Sequence, residues 1–223
     1  MIVTAIERRP RRRRVNVFVD GRFALEISLD LAVERDLRPG HAVTAAEIAA
    51  LADADAHRVA LDSALRLLSY RPRSERELRD RLQRKGVGRV AIDDTIRRLR
   101  ELGYVDDAAF ARFWTETRQA ARPRARRILA GELRRQGVAQ EEAEEATAGI
   151  SDEEAARAAA GRRLRHLAGM EYREFRERLG RFLTSRGFTY DVARRTIDQC
   201  WAERAPAAAD GPSERRSEGQ EPL

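Results

Sequence analysis

The chain has one cysteine, Cys200, one lysine, Lys85, and few aromatic residues, 6% in all. A lone cysteine excludes an internal disulfide and any multi-cysteine metal site. No apolar run approaches the roughly 18 to 20 residues that a membrane-spanning helix needs. The opening stretch "MIVTAIERRPRRRR" has no apolar segment after its charges, so a secretory signal is not expected. There is no Walker loop, no G-x-G-x-x-G, no nucleophile elbow and no H-E-x-x-H helix. That removes the familiar anchors for nucleotide, acyl-transfer and zinc chemistry. His41, His57 and His166 are scattered without paired ligands and read as surface histidines. Cys200 falls on the apolar face of the last helix and reads as a small buried hydrophobe. Trp114 and Trp201 fall at core positions, where packing is favoured over base stacking. The expectation is a cytoplasmic protein that is not an enzyme and carries no metal and no cofactor.

What the chain does have is charge. Charged residues make up 36%, the net charge is +7, and all but one of the 44 basic residues are arginine. Arginine is the better residue for forked contacts to phosphate or carboxylate. The charges alternate in blocks. Residues 1–14 are basic, 15–70 acidic, 71–136 basic, 137–156 acidic with seven acids and no base, and 157–204 basic again.

The first element reads as strands. In "VNVFVDGRFALEIS", Val15, Val17 and Val19 alternate with outward residues, as do Phe23, Leu25 and Ile27 beyond the pair Asp20-Gly21. An Asp-Gly pair between two period-2 runs predicts a hairpin, because both turn residues tolerate positive φ. An isolated hairpin is marginal, so a partner strand from Ile2–Ile6 or packing on Leu29–Leu37 is expected. A short helix is expected to start near Thr44, with Glu47 three residues on.

From about Ala56 the period becomes helical. Leu61, Ala64, Leu65 and Leu68 share one helix face. Pro72 breaks that helix, and Ser74 with Glu77 is a candidate capping box for the next. Leu78 and Leu82 would be buried and Gly86 would close the helix in a left-handed conformation. A third helix would turn Ile92, Ile96, Leu99 and Leu102 inward. The same frame then recurs. Phe110, Phe113, Trp114 and Thr117 form a face, Leu129, Leu133 and Gly137 match Leu78, Leu82 and Gly86, and an acidic third helix follows. Ser151 and Glu154 open a third round, Leu179, Leu183 and Gly187 repeat the frame, and Ala193, Thr196, Ile197, Cys200 and Trp201 line the last helix. A period near fifty residues with three helices per unit predicts tandem modules of helix-turn-helix type.

The expected fold class is therefore mainly α: a small N-terminal β-hairpin region followed by three tandem three-helix modules in an elongated array. The expected divisions are a basic N-terminal arm (1–14), a β-hairpin and short helix (15–55), modules at 56–105, 106–150 and 151–204, and a disordered tail (205–223), which lacks apolar periodicity.

Three arginine clusters could bind anions. Arg8–Arg14 would be an arm lying along phosphates or an acidic surface, or a basic arm with no partner. A second cluster, led by Arg71, Arg73 and Arg76, alternates with Glu75, Glu77 and Asp80 and could equally be a solvated face. The third, Arg122, Arg124, Arg126, Arg127, Arg134 and Arg135, has only Glu132 nearby. It begins at a helix N-terminus, where cations oppose the helix dipole, so an external anion is expected to compensate. The acids between Glu141 and Glu154 could be a docking face, a mimic of DNA charge, or a solvated helix.

The combination of the hairpin start, "SYRPRSERELRDRLQRKGV", "LRELGYVDDAAFARFW" and a basic second module resembles the RecX family, over roughly residues 15–203. The first-module segment is the most specific. The second and third match mainly in the Leu-Leu-Gly spacing, and the third lacks an equivalent of Pro72 and Pro123. The resemblance implies a non-enzymatic modulator that binds the RecA recombinase filament, restrains its strand-exchange, ATPase and coprotease activities, and acts in recombination and the SOS response. It implies RecA as the partner, with single- or double-stranded DNA a secondary and salt-sensitive one, and Arg71, Arg73, Arg76 and the third cluster facing the filament or its DNA. A monomer with no membrane association is expected. The rival reading is a stand-alone helix-turn-helix DNA-binding regulator, which needs third helices rich in base-reading residues. The acidic third helix of the second module counts against it.

Overall fold

The structure, a computed structural model, describes residues 1–10 and 12–204; Arg11 of the basic head and the tail expected to be disordered, 205–223, lie outside the described residues. Three antiparallel strands come first: β1 (Val3–Arg8), β2 (Arg14–Val19) and β3 (Arg22–Ser28), paired in the order β1-β2-β3. Asp20 and Gly21 form the two-residue turn at φ 48° and 76°. Alternation buries Val15, Val17, Val19, Leu25 and Ile27, but Phe23, expected on the same face, is exposed, next to the register shift between Val17 and Phe18.

The head is not an arm. Val3–Arg8 of the expected 1–14 arm is the third strand of the sheet, paired with β2 from Val3↔Val19 to Arg8↔Val15. Three of its arginines find acids within the same fold. Arg9 lies 3.3 Å from Glu26, which it shares with Arg14. Arg13 pairs with Asp30 at 2.6 Å and Arg14 with Glu26 and Asp55, both at 2.8 Å. The acidic surface under the basic head is the chain's own. Asp55 is buried and also accepts the Ser28 amide at 2.7 Å.

After a short helix α1 (Leu29–Glu34), a single helix α2 (Ala45–Leu68) runs for 24 residues. It absorbs both the short helix expected at Thr44 and the first helix of the first module, so the division expected at 55/56 falls inside one helix. Thr44 and Glu47 cap it reciprocally, and no helix breaker interrupts the alanine-rich run between them and Ser69. Then come α3 (Glu75–Arg84) and α4 (Arg89–Glu101); α5 (Asp107–Ala121), α6 (Arg126–Arg135) and α7 (Gln140–Ala148); and α8 (Asp152–Leu164), a 3-10 turn (Arg165–Leu167), α9 (Tyr172–Ser185) and α10 (Tyr190–Arg204). This is a mainly helical chain behind a three-stranded sheet.

The repeated frame is a packing frame. Leu78, Leu82, Leu129, Leu133, Leu179 and Leu183 are all at 0% exposure. Burying one such side chain stabilises the fold by about 1.5–3 kcal/mol. Gly86, Gly137 and Gly187 all take positive φ, at 81°, 94° and 88°. Some expected faces are rotated. Leu102 and Leu65 are exposed, because each sits at or near a helix C-terminus where the face turns outward. In α5 the buried face is Phe110, Ala111 and Thr115, while Phe113 and Thr117 point to solvent. The expectation placed the face one step too far towards its aromatics.

By contacts the chain forms two compact units. Unit 1 is Met1–Phe110 with Gln136–Val138, and unit 2 is Ala111–Arg135 with the chain from Ala139 onward. Within unit 1 the second helix of the first module meets pieces of the second. The Glu75 amide donates to Asp107 Oδ1 at 2.8 Å, the Ser74 hydroxyl to the Gln136 carbonyl at 2.6 Å, and Arg76 methylenes cover Gly137, leaving no room for a Cβ there. Within unit 2 the same joint recurs one period later. The Arg126 amide donates to Asp152 Oδ1 at 2.7 Å, the Ala125 amide to the Arg186 carbonyl at 3.1 Å, and the Ile128 side chain covers Gly187. The second helices of the first two modules, α3 and α6, are thus capped by an Asp of the next module and seated on its glycine turn.

Candidate functional site

The two sets of candidate arginines lie in different units. In unit 1, Arg71, Arg73 and Arg81 gather around one carboxylate, Glu77. Arg71 Nη2 is 2.8 Å from Glu77 Oε1 and Arg81 Nε 3.0 Å, and Arg73 donates to the same oxygen and to the Leu67 carbonyl. Arg73 is buried. Burial alone would raise the Glu77 pKa; Arg71, Arg73 and Arg81 together outweigh it and hold the carboxyl below its usual range. This is why Ser74 and Glu77 form only half of the expected capping box. The Glu77 amide donates to the Ser74 hydroxyl, but the carboxylate is drawn off by arginines. Arg76 is exposed and spends its methylenes on Gly137. Of the three unit 1 candidates, Arg71 and Arg76 leave guanidinium surface for a partner, and Arg73 is interior.

In unit 2 the third cluster also divides. Arg124 Nη1 pairs with Glu132 Oε1 at 2.6 Å, and Arg118 approaches the other oxygen at 3.5 Å. Arg127 Nε donates to the Gly187 carbonyl at 2.8 Å and helps hold the joint. Arg122, Arg126, Arg134 and Arg135 are exposed, and no acidic partner is within ion-pair distance among the described residues. The Asp152 carboxylate satisfies the α6 amide end, which eases the conflict between its basic first turn and the helix dipole.

The structure adds residues that the sequence alone did not single out. Arg162, on α8, donates to the Ala120 carbonyl at 2.7 Å and to the Ala121 carbonyl. Arg186, at the end of α9, donates to the Pro123 carbonyl at 3.3 Å. Arg163 and Arg186 both lie on the Phe182 ring, at 5.1 and 4.8 Å from its centre. These contacts bring Arg162, Arg163 and Arg186 to the segment that carries Arg122 and Arg124. Burial, and then repulsion from Arg124, Arg122, Arg162 and Arg163, hold the Arg186 guanidinium below its ordinary value. Five guanidinium groups converge here, and among the described residues the acid paired with any of them is Glu132, on Arg124. An ion of opposite charge would relieve that repulsion. No spacing rule predicts the gathering, because its members are up to 64 positions apart and meet only through the α5–α6 connection.

Third-helix arginines are less available. On α4, Arg97 pairs with Asp94, Arg98 with Glu101 at 3.4 Å, and Arg100 with Glu75. On α7 the exposed positions include Glu141, Glu144 and Glu145. Three equivalent base-reading helices are therefore not what this surface presents.

One histidine is more than a surface residue. His57 on α2 meets Asp94 on α4, with Nε2 2.8 Å from Oδ2, while Nδ1 lies 2.7 Å from the Asp53 carbonyl. Both acceptors lack a proton, so the imidazolium satisfies both.

Comparison with known proteins places this arrangement. Three family descriptions match: RecX, first three-helix domain, over residues 60–109; the second over 106–146; and the third over 151–197. Regulatory protein RecX of Lactobacillus johnsonii is 30% identical over 203 residues, 89% of this chain and 74% of that protein. The protein of the same name from Levilactobacillus brevis is 31% identical over 199 residues, 88% and 75% of the two chains. A crystal structure of regulatory protein RecX aligns with a TM-score of 0.61 at 23% identity, over 89% of this chain and all of that one. The RecX crystal structure from Lactobacillus salivarius aligns at 0.58 and 22%, over 67% and 99%. At these identities the solved structures speak for the fold, and the three consecutive domains and the long matches speak for descent: the chain belongs to the RecX family.

Proposed function

We propose that this protein is a non-enzymatic regulator that binds the RecA recombinase on its DNA filament and restrains strand exchange, ATP hydrolysis and coprotease activity in recombination and the SOS response. A regulatory role follows from the family, whose members here carry the name regulatory protein. The observation that carries the finer reading is the match to all three RecX three-helix domains in order. Alternating charge blocks on a modular helical chain suit a partner that is itself part protein and part polyanion. DNA contact is secondary and salt-sensitive, the setting is the cytoplasm and the working form is a monomer. Among the described residues no helix is long and apolar enough to cross a membrane.

The members of the two candidate sets that leave guanidinium surface free, half-buried Arg71 and exposed Arg76 in unit 1 and exposed Arg122, Arg126, Arg134 and Arg135 in unit 2, are the residues for the filament or its DNA. The test is to add the protein to a preformed recombinase filament on single-stranded DNA and follow ATP hydrolysis. Inhibition is expected at concentrations too low for free-DNA binding. Charge reversal at Arg122, Arg126 and Arg135 is expected to weaken it, because these side chains make no ion pair that the fold needs. Undiminished inhibition by that variant rejects the assignment. Tight, sequence-selective duplex binding without recombinase would favour the stand-alone DNA regulator instead.

A further inference from the structure

The third module holds a surface that none of the candidate arginines touches. A groove of about 830 Å³ runs between α9 and α10, the helix-turn-helix pair of that module. Tyr190 opens onto it with 70% of its surface exposed. Tyr172 forms a fixed wall, since its hydroxyl donates to Asp198 at 3.0 Å and its ring meets Trp201 edge-on at 5.2 Å. Arg173, Arg176, Arg181 and Arg194 line the same groove against two acids. One of those acids, Asp198, is engaged by Tyr172, and the other, Glu177, by Arg173 at 3.5 Å.

A second groove of about 520 Å³ is also lined by α9, and its lining contains no carboxylate. Arg181 lines both. Phe182 forms part of the second, and its ring carries Arg163 and Arg186, members of the convergent arginine cluster. Arg181 is therefore shared by the groove onto which the exposed tyrosine opens and the groove that holds Phe182, whose ring carries Arg186. A flat, exposed aromatic ring at one end and guanidinium groups along the rest match a polymer that alternates bases and phosphates. A duplex would offer phosphates but no free base faces for Tyr190. An acidic protein would satisfy the arginines and leave the ring without a stacking partner.

We propose that the α9–α10 groove of the third module binds single-stranded nucleic acid, with a base stacked on Tyr190 and the phosphates following Arg181 towards Arg186. The reading of the protein as a filament regulator gives this site its setting, but strand binding is measured without recombinase, so either can fail alone. Tyr190 and Arg181 are both exposed, so substitutions there remove no buried side chain.

The experiment uses the full chain and fluorescence anisotropy with labelled oligothymidylate, an abasic strand of equal length and a duplex, each across a salt series. Tyr190→Ala is expected to weaken oligothymidylate binding by about fivefold or more and leave the abasic strand unchanged, with Tyr190→Phe restoring the loss. Arg181→Glu is expected to weaken both single strands and to lower the salt slope by about one. Equal affinities of wild type and Tyr190→Ala for oligothymidylate would overturn the proposal. So would tighter binding of the duplex than of the strand, or displacement of the strand by polyglutamate at matched charge, which would assign the groove to an acidic protein.

Discussion

Gly187 carries two constraints at once. It sits at φ 88°, and the Ile128 side chain occupies the space a Cβ would need. Gly86 has the same torsion with nothing nearby. Placing an L residue in the left-handed region costs about 1–2 kcal/mol, and forcing extra volume into a packed contact costs about 1–3 kcal/mol more. Gly187→Ala should therefore lower the urea midpoint well beyond Gly86→Ala, and equal shifts would show that the Ile128 contact carries no energy. His57 acts by protonation. The hydrogen bond to the Asp53 carbonyl, then the one to Asp94, hold its pKa above the usual value, and the His57 bond in turn holds Asp94 below its own. A raised folded pKa contributes stability that is fully present below the unfolded value, about pH 6.5, and is lost as pH rises through the folded one. The lowered Asp94 adds a contribution that is lost only in acid. The stability of the protein should thus fall as pH rises through neutrality, and His57→Gln should flatten that dependence. A pH profile identical in the variant would remove His57 from the account.

At the scale of elements, each joint between modules includes one carboxylate that caps a helix of the preceding module. Asp152 caps the α6 amide end in place of a residue of α6's own. Asp152→Ala should destabilise unit 2 by about 0.5–2 kcal/mol, as the loss of an N-cap acceptor does. Asp152→Asn should recover most of it, since its oxygen still accepts; chemical denaturation of the two variants decides. The elements themselves were largely legible. The Asp-Gly hairpin, the Leu-Leu-Gly frame and the Thr44 cap are local signals, and each forms as periodicity and turn chemistry predict. The length of α2 was not, because no breaker marks where the N-terminal region passes into the first module. The capping boxes at Ser74 and Ser151 were half legible. Each serine accepts its amide, but Glu77 answers to three arginines whose convergence is tertiary. The same limit applies to the candidate site. Arginine clusters were visible as composition, whereas the pairing of Arg73, Arg124 and Arg127, and the arrival of Arg162, Arg163 and Arg186, depend on contacts between distant segments.

For the whole molecule, the repeat and the compact unit are out of phase. The sequence repeats module by module, yet the contacts divide the chain inside the second module, because each joint binds the second helix of one module to the start and the turn of the next. A fragment ending at Val105 follows the repeat but loses Asp107, which caps α3, and the buried Phe110. A fragment ending at Phe110 keeps both and should unfold at a higher denaturant concentration, with circular dichroism melts as the check. Equal melts would mean that the joint adds nothing to unit 1. The uneven crowding of the three glycine turns also bears on how the copies can diverge. At Gly86 selection acts on a torsion angle alone, so an asparagine is an acceptable successor. At Gly137 and Gly187 it acts on torsion and volume together, and any replacement must await a compensating change at Arg76 or Ile128. Three copies of one motif are thus set to drift at different rates.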